Sequence, residues 1–135
     1  MKNNTVDSCK IIDLKHNKTN GIINIENNID VPFDVKRLYY LYDISDNSIR
    51  GEHAHKELNQ LIIGLNKGLT ITLDDGENKK ILILDNMNQG LLIVPGIWRT
   101  LSDFSAESIC LVLASELYTE ADYIRNYNEF LKYKK

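Results

Sequence analysis

Short runs of apolar residues, each closed by turn-forming residues, make up most of the hydrophobic pattern of this chain. Such runs predict β-strands. The predicted strands cover residues 10–14, 21–26, 36–43, 51–55, 60–66, 69–73, 79–84, 90–94 and 108–114. Residues 66–68 (NKG) and 74–76 (DDG) lie between such runs and predict tight hairpin turns. Many short strands at nearly regular spacing favour an all-β sandwich or barrel over a fold in which strands and helices alternate.

A helical period occurs only near the C-terminus. Thr119 followed by Asp122 resembles a capping box in which Asp replaces the usual Glu. Apolar side chains then recur at helical spacing, at Tyr123, Ile124, Tyr127, Phe130 and Leu131. We therefore expect a helix over about residues 119–133, packed on the barrel or on a partner subunit.

Length and composition indicate one globular domain. With 135 residues, we expect a single domain over residues 1–135 whose core needs neither disulfides nor a structural metal. A hydrophobic fraction of 43% argues against disorder, and a net charge of −3 gives no sign of a nucleic-acid-binding surface. The sequence has no apolar run long enough to span a membrane, and because residues 1–10 are polar we expect no signal peptide. Cys9 and Cys110 form no C-x-x-C pair, so we expect two free thiols in a reducing cytoplasm.

Two of the three histidines lie close together, in residues 50–56 (RGEHAHK). On a β-strand, residues two positions apart point to the same face, so His53 and His55 are expected to project together. The interior of a β-barrel is a place where paired imidazoles can form a site. A pair of surface histidines near a strand end is the alternative.

The residues after the histidine pair resemble the metal-binding motifs of the cupin superfamily, with departures. Gln60 follows His55 where that motif has a Glu, and the Gly90 to Pro95-Gly96 frame of the second motif is present. Trp98 and Arg99 stand where its third histidine belongs. Because an amide is a weak ligand and arginine is a permanent cation, we expect no metal and no cofactor. Histidine acting as acid and base then becomes the preferred chemistry, and a metal-dependent cupin is a rival that metal analysis would decide.

A more specific resemblance covers about residues 20–133. Residues 31–40 (VPFDVKRLYY) resemble a P-F-x-x-K-R-x-Y-Y segment, and residues 50–56 resemble an R-G-x-H-A-H-K box. Further matching segments follow in the same order, at residues 73–76, 98–99, 103–105, 113–115 and 122–125. In their joint order and spacing these segments are similar to the sugar 3,4-ketoisomerases of the WxcM-like cupin family.

This resemblance implies a small cupin jelly roll and an isomerase. The expected reaction converts dTDP-4-keto-6-deoxyglucose to a dTDP-3-keto-6-deoxyhexose, with no metal and in a homodimer. A PLP-dependent sugar aminotransferase would use the product, in the synthesis of 3-amino-3,6-dideoxy sugars for surface glycans such as lipopolysaccharide O-antigen. His53 and His55 match the catalytic histidines of the family, and His55 is the expected base.

Moving the ketone from carbon 4 to carbon 3 is a proton transfer beside a carbonyl. A base removes the proton from carbon 3, an enediolate forms, and a proton returns to carbon 4. Histidine can serve as that base. The enediolate needs a hydrogen-bond donor or a cation, for which Arg99 and the tyrosine hydroxyls are candidates. An arginine at the surface or at the rim of the barrel is the alternative for Arg99.

Other polar and aromatic residues near these motifs are candidates for substrate binding. Arg37 and Arg50 suit a diphosphate, because guanidinium groups bind phosphate oxygens in pairs. Tyr39 or Tyr40 can stack on thymine or bind a sugar oxygen, although packing in the core explains a strand tyrosine equally well. Gln60, Trp98 and Arg99 complete the candidate set. In the predicted strand over residues 36–43, each face carries both polar and apolar residues. The sequence therefore leaves open which face points inward.

Two rival functions remain open at this point. A 3,5-epimerase acting on the same sugar nucleotide also begins by removing a proton beside the ketone. A non-catalytic cupin that binds a nucleotide sugar would keep its arginine and aromatic contacts but tolerate loss of either histidine. The sequence decides neither the nucleotide nor the configuration of the product at carbon 4.

Overall fold

The computed structural model describes residues 1–45 and 47–135, and antiparallel strands form most of it. The strands are, in chain order, β1 (Lys10–Asp13), β2 (Lys15–Asn17), β3 (Ile22–Asn24), β4 (Arg37–Leu41), β5 (Arg50–His55), β6 (Gln60–Leu65), β7 (Leu69–Asp74), β8 (Lys79–Leu84), β9 (Gln89–Ile93), β10 (Trp98–Ser102), β11 (Ile109–Ala114) and β12 (Tyr123–Ile124). Among the residues that the structure describes, one α-helix, α1 (Tyr127–Lys134), follows the strands.

Two five-stranded sheets carry the fold. The first has the order β1-β9-β6-β11-β4 and the second the order β12-β5-β10-β7-β8, while β2 and β3 form a separate pair. The predicted all-β sandwich with a C-terminal helix is confirmed. Each of the nine predicted strands overlaps a strand of the structure, whereas β2, β10 and β12 were not predicted.

The main core lies between the two sheets. The first sheet contributes Ile62, Leu91, Ile93, Cys110 and Val112. The second sheet contributes Leu69, Ile71, Leu73, Leu84 and Leu101. A second cluster lies on the other face of the first sheet, where Leu14 and Val31 pack on Leu61, Ile63 and Leu113. Since residues 14–35 cover that face, β6 is buried on both sides and reads as a continuous apolar run.

The C-terminal helix is shorter than predicted. It begins after Asn126, whose side chain accepts a hydrogen bond from the backbone N–H of Glu129 and so caps the helix. The expected capping box at Thr119 instead precedes a short 3-10 turn, and Tyr123 and Ile124 then pair with β5 as a strand. Across the described ranges, no helix has the length and apolar character needed to cross a membrane.

The Asp74-Asp75-Gly76 segment forms the predicted turn, and its two carboxylates bind the backbone there. Asp75 accepts hydrogen bonds from the backbone N–H groups of Glu77 and Asn78, and Asp74 accepts one from that of Gly76. The Asp75 carboxylate also accepts from the backbone of Val6, and these bonds hold the pKa of Asp75 below its usual value. The aspartate pair therefore stabilises a turn.

Gly68 is a position at which the fold requires glycine. Its φ is 73°, and a Cβ there would overlap the carbonyl oxygen of Leu84. We expect Gly68→Ala to lower the free energy of unfolding by about 3 kcal/mol or more, from backbone strain together with this clash. Gly21 is the matched control, because it has a similar φ of 64° but no atom within 4 Å of the added Cβ. Gly21→Ala should lower the free energy of unfolding by only about 1 kcal/mol. Equal decreases for the two variants, measured by urea unfolding, would contradict this account.

Candidate active site

A β-bulge in β5 sets the position of the first histidine. His53 pairs with Arg99 of β10, but the next pair joins Gly51 to Thr100, so Glu52 is an extra residue. Gly51 has a φ of 80°, and a Cβ there would lie 2.7 Å from a methyl group of Leu101. Only glycine fits this position without displacement of that side chain. The bulge places His53 beside Arg99 on the neighbouring strand. Bulges next to active sites often redirect a side chain in this way.

The two inner faces enclose a cavity of about 240 Å³ beside this bulge. Its polar lining consists of Tyr39, Arg50, His53, Gln60, Arg99 and Arg125. Its apolar and aromatic lining consists of Leu41, Gly51, Ile62, Leu101, Cys110, Val112 and Tyr123. An apolar chamber with a few convergent polar groups is typical of a small-molecule site.

Arg99 is a buried cation at the floor of this cavity. Its side chain is 1% exposed and donates to the backbone carbonyl of Ile97 and to Oε1 of Gln60, the latter at 2.6 Å. Within residues 1–45 and 47–135 no carboxylate lies within ion-pair distance of it. Burial lowers the pKa of Arg99 to about 10, which still leaves it charged at neutral pH. Since an unpaired buried charge is costly, this geometry favours a site that receives an anionic group.

Tyr39 and Gln60 extend the polar floor away from Arg99. The Gln60 amide donates to the Tyr39 hydroxyl at 3.0 Å while its carbonyl oxygen accepts from Arg99. Burial raises the pKa of Tyr39, so the phenol stays protonated. Because the hydroxyl oxygen already accepts a bond from Gln60, its own proton is available to a ligand in the cavity.

His53 has the properties of a neutral base. Its Nδ1 lies 3.0 Å from the carbonyl oxygen of Gly51. Because a carbonyl only accepts, Nδ1 carries the proton and Nε2 keeps its lone pair. Burial and the nearby charge of Arg99 lower the pKa of His53 to about 4, so the imidazole is neutral at neutral pH.

The His55 ring lies next to that of His53, as the spacing of two residues predicts, but farther from the cavity. The ring centroids are 4.8 Å apart, and His55 is fully buried. Its Nδ1 lies 3.1 Å from Oδ2 of Asp122, while burial and the charge of Arg99 hold the pKa of His55 far below its usual value. His53 lines the cavity and His55 does not, which weighs against the expectation that His55 is the base.

The structure separates the remaining candidates into two groups. Arg50, like Tyr39, Gln60 and Arg99, lines the cavity. Arg37 lies at one side, with its guanidinium 5.1 Å from the centre of the Tyr39 ring.

Tyr40 is 57% exposed on the opposite face of β4, and Trp98 packs against Phe130 beneath α1. Neither Tyr40 nor Trp98 reaches the cavity, because strand alternation turns each away from its inward neighbour.

The segment before α1 brings three residues to the site that were not assigned a role from the sequence. Tyr123 and Arg125 line the cavity, and Asp122 binds His55. The Arg125 guanidinium lies 4.2 Å from the centre of the Tyr123 ring and binds the Glu120 carboxylate. The sequence did mark residues 122–125 as a segment that matches the family. Because a helix was predicted there, the direction of these side chains toward the cavity was not foreseen.

The side chains here offer few metal ligands. In the described part of the chain, no group of three or more His, Cys, Asp or Glu side chains is arranged to hold a metal ion. Gln60 directs its carbonyl oxygen to Arg99, which occupies the place of the third cupin histidine. Independence of metal and cofactor stays a prediction, and metal analysis of protein purified without chelator tests it.

Comparison with known proteins places this site in a family. The family model described as FdtA: WxcM-like, C-terminal, matches residues 7–135. The chain belongs to this WxcM-like family. The predicted family membership is therefore confirmed.

Characterised relatives of this WxcM-like chain share its length and fold. The TDP-4-oxo-6-deoxy-alpha-D-glucose-3,4-oxoisomerase of Aneurinibacillus thermoaerophilus is 40% identical over 133 residues, which are 98% of this chain and 93% of that protein. The 3,4-ketoisomerase QdtA from Thermoanaerobacterium thermosaccharolyticum, solved with TDP, is 39% identical with a TM-score of 0.91, and the match covers 95% of each chain. The TDP-quinovose 3,4-ketoisomerase WlaRB from Campylobacter jejuni is 43% identical with a TM-score of 0.89, covering 94% of this chain and 99% of that one.

Proposed function

We propose that this protein is a sugar 3,4-ketoisomerase that converts dTDP-4-keto-6-deoxyglucose to a dTDP-3-keto-6-deoxyhexose. The observation that carries the proposal is the placement of a neutral histidine, His53, beside a buried and unpaired cation, Arg99, on adjacent strands that line one cavity. A base next to a fixed positive charge is what proton abstraction beside a ketone requires. The similar proteins named above have this activity in their names, in agreement with the function predicted from the sequence.

The geometry supports a mechanism of proton transfer through an enediolate. Nε2 of His53 takes the proton from carbon 3, and the electron pair of that bond moves toward the ketone oxygen on carbon 4. Arg99 stabilises the negative charge that develops on this oxygen. His53 then returns its proton to carbon 4, while the hydroxyl proton passes between the two sugar oxygens with Tyr39 as a donor at hand.

The size of the cavity indicates how the nucleotide is held. A volume of about 240 Å³ is below the usual range for sites that enclose a drug-sized ligand, so it suits the sugar ring alone. The diphosphate then lies at the rim, where Arg50 and Arg125 stand. Arg37 adds further donors, because its buried Nε and Nη2 have no hydrogen-bond partner among the described residues. Guanidinium groups are well suited to bind diphosphate oxygens.

We further propose that the enzyme is a cytoplasmic homodimer whose product passes to a PLP-dependent aminotransferase, for surface-glycan sugars. Support for the dimer comes from the family resemblance and from β4, an edge strand that exposes Leu38 and Tyr40 on one side, with Tyr42 exposed just beyond its end. Support for a reducing compartment comes from the two free, buried thiols, Cys9 and Cys110. Sedimentation velocity of the purified protein tests the dimer.

The experiment that tests the function follows the sugar by proton NMR in deuterated buffer, with and without EDTA. Purified protein is incubated with dTDP-4-keto-6-deoxyglucose. A 3-keto product formed with and without EDTA is the expected result, and its configuration at carbon 4 identifies the hexose. Deuterium at carbon 5 would indicate a 3,5-epimerase instead. Binding without exchange at any carbon would leave the non-catalytic cupin.

The lowered pKa of His53 predicts an unusual pH profile. Because the neutral imidazole is the base, activity should fall on acidification only as pH approaches about 4, not near the ordinary value of 6.5. We expect the acid limb of kcat/KM in this low range, since kcat/KM reports the free enzyme. Between pH 6.5 and 4 the unfolded chain binds more protons at His53 than the folded one. The free energy of unfolding therefore decreases as the pH is lowered through this range. Circular dichroism at each pH separates unfolding from titration, and an inflection near 6.5 in folded protein would contradict the assignment.

A further inference from the structure

Asp122 is half-buried behind the histidine pair and does not line the cavity. Its side chain is 16% exposed, and both carboxylate oxygens are occupied. Oδ2 lies 3.1 Å from Nδ1 of His55, and Oδ1 accepts a hydrogen bond of 2.8 Å from the backbone N–H of Glu57. The backbone of Asp122 is bound as well, since its carbonyl accepts from Lys56 and its N–H donates to Thr119. These four bonds fix the carboxylate against the end of β5.

The two partners of this carboxylate both need an acceptor. The Glu57 backbone N–H can only donate, and an ionised carboxylate can only accept. The proton of the neutral His55 ring is therefore on Nδ1, and Nε2 keeps the lone pair. Nε2 is buried and has no hydrogen-bond partner within the residues described. The tautomer of His55 is thus set from one side alone, by Asp122.

The His55 ring in turn supports the residues at the cavity wall. It meets the His53 ring edge to face, with centroids 4.8 Å apart, and meets the Tyr123 ring at 4.3 Å. Both of those residues line the cavity. A rotation of His55 would therefore displace the base and one wall of the site together.

We propose that Asp122 is a positioning residue that fixes the tautomer and orientation of His55 and, through its ring, the position of His53. This inference rests on the proposed function for its kinetic consequence, but its structural content is independent of activity. Asp122 touches neither the cavity nor the expected position of the sugar, so it acts through His55.

Asp122→Asn is the informative variant, because it keeps the shape and removes one acceptor. An amide offers one acceptor oxygen and one donor nitrogen, so it cannot accept from both His55 and Glu57. If the amide nitrogen faces His55, the ring must change tautomer and carry its proton on Nε2. We expect kcat to fall by about 10²-fold or more, with KM changed by less than about threefold, because a displaced His55 ring moves His53, the base.

Two measurements separate positioning from simple damage to the fold. The first is ¹⁵N NMR of the histidines, expected to show a protonated Nδ1 in wild-type His55 and an altered tautomer or a mixture in Asp122→Asn. The second is a double-mutant cycle, in which Asp122→Asn should cost little further activity once His55→Asn is present. Glu57→Gln is the matched control, because its exposed carboxylate lies next to the site while its backbone N–H is retained; wild-type kcat is expected.

The possible failures point to different conclusions. Losses that multiply in the double variant, or a His55 tautomer unchanged by Asp122→Asn, would overturn the positioning role. Retained wild-type kcat in Asp122→Asn would overturn it as well. If the wild-type protein isomerises no sugar nucleotide, the proposed function fails, while the tautomer measurement still decides the role of Asp122.

Discussion

His53→Asn is expected to lower kcat for isomerisation by about 10²- to 10⁴-fold, the range typical of a lost general base. The cause is specific, because His53 lines the cavity and its Nδ1 is engaged by the carbonyl of Gly51, which leaves the lone pair on Nε2. Asparagine can keep a donor near that carbonyl but has no basic nitrogen. The measurement is single-turnover conversion of dTDP-4-keto-6-deoxyglucose, together with deuterium exchange at carbon 3.

The comparison with His55→Asn identifies the base. Since His55 is fully buried behind His53, its loss should slow the reaction yet leave measurable exchange at carbon 3. TDP binding and circular dichroism should be close to wild type in the His53 variant, because the nucleotide is expected at the rim. The reverse pattern, with exchange lost only in His55→Asn, would return the role of base to His55.

Arg99→Met should separate activity from stability. We expect kcat to fall by about 10²- to 10³-fold, the usual cost of removing a donor that stabilises a developing oxyanion. The free energy of unfolding should change by only about 1 kcal/mol, because relief of an unpaired buried charge offsets the lost hydrogen bonds to Gln60 and Ile97. Steady-state kinetics and urea unfolding of the same preparation provide both values.

Arg125→Met is the matched arginine control at the rim of the cavity. Arg125 is exposed and already paired with Glu120, so its loss should raise KM for the nucleotide sugar more than it lowers kcat. Wild-type kcat in a folded Arg99→Met protein would contradict the catalytic role. Destabilisation by more than about 3 kcal/mol would contradict the predicted small change in stability.

Strand periodicity was enough to predict the histidine pair and most of the sandwich. His53 and His55 share a face because side chains alternate on a strand, and their rings do meet. Strand β10 escaped prediction for a physical reason, since one of its two fully inward residues is the polar Arg99 rather than a second apolar side chain. A functional buried charge thus breaks the pattern that reveals a strand.

Residues near the C-terminus show the opposite error, in which apolar spacing predicted too much helix. Tyr123 and Ile124 fit a helical stripe, but both pair with β5, where Ile124 packs beneath α1 and Tyr123 packs against the His55 ring. The inward face of β4 was equally undecidable from sequence. The outward side chains of β4 include Leu38 and Tyr40, which are exposed although they are apolar or aromatic, so neither face of the strand is marked as the polar one. Only the folded chain shows that Tyr39 faces the cavity and Tyr40 does not.

The connection before α1 has a consequence for how the enzyme is made on the ribosome. His55 and the Asp122 that binds it are 67 residues apart, and the cavity wall at Tyr123 and Arg125 comes later still. At a translation rate of about 5–20 residues per second, the histidines emerge roughly 3 to 13 seconds before that carboxylate. A nascent chain can therefore pair many of its strands while its base is still unsupported, and catalytic competence waits for the segment that carries Asp122.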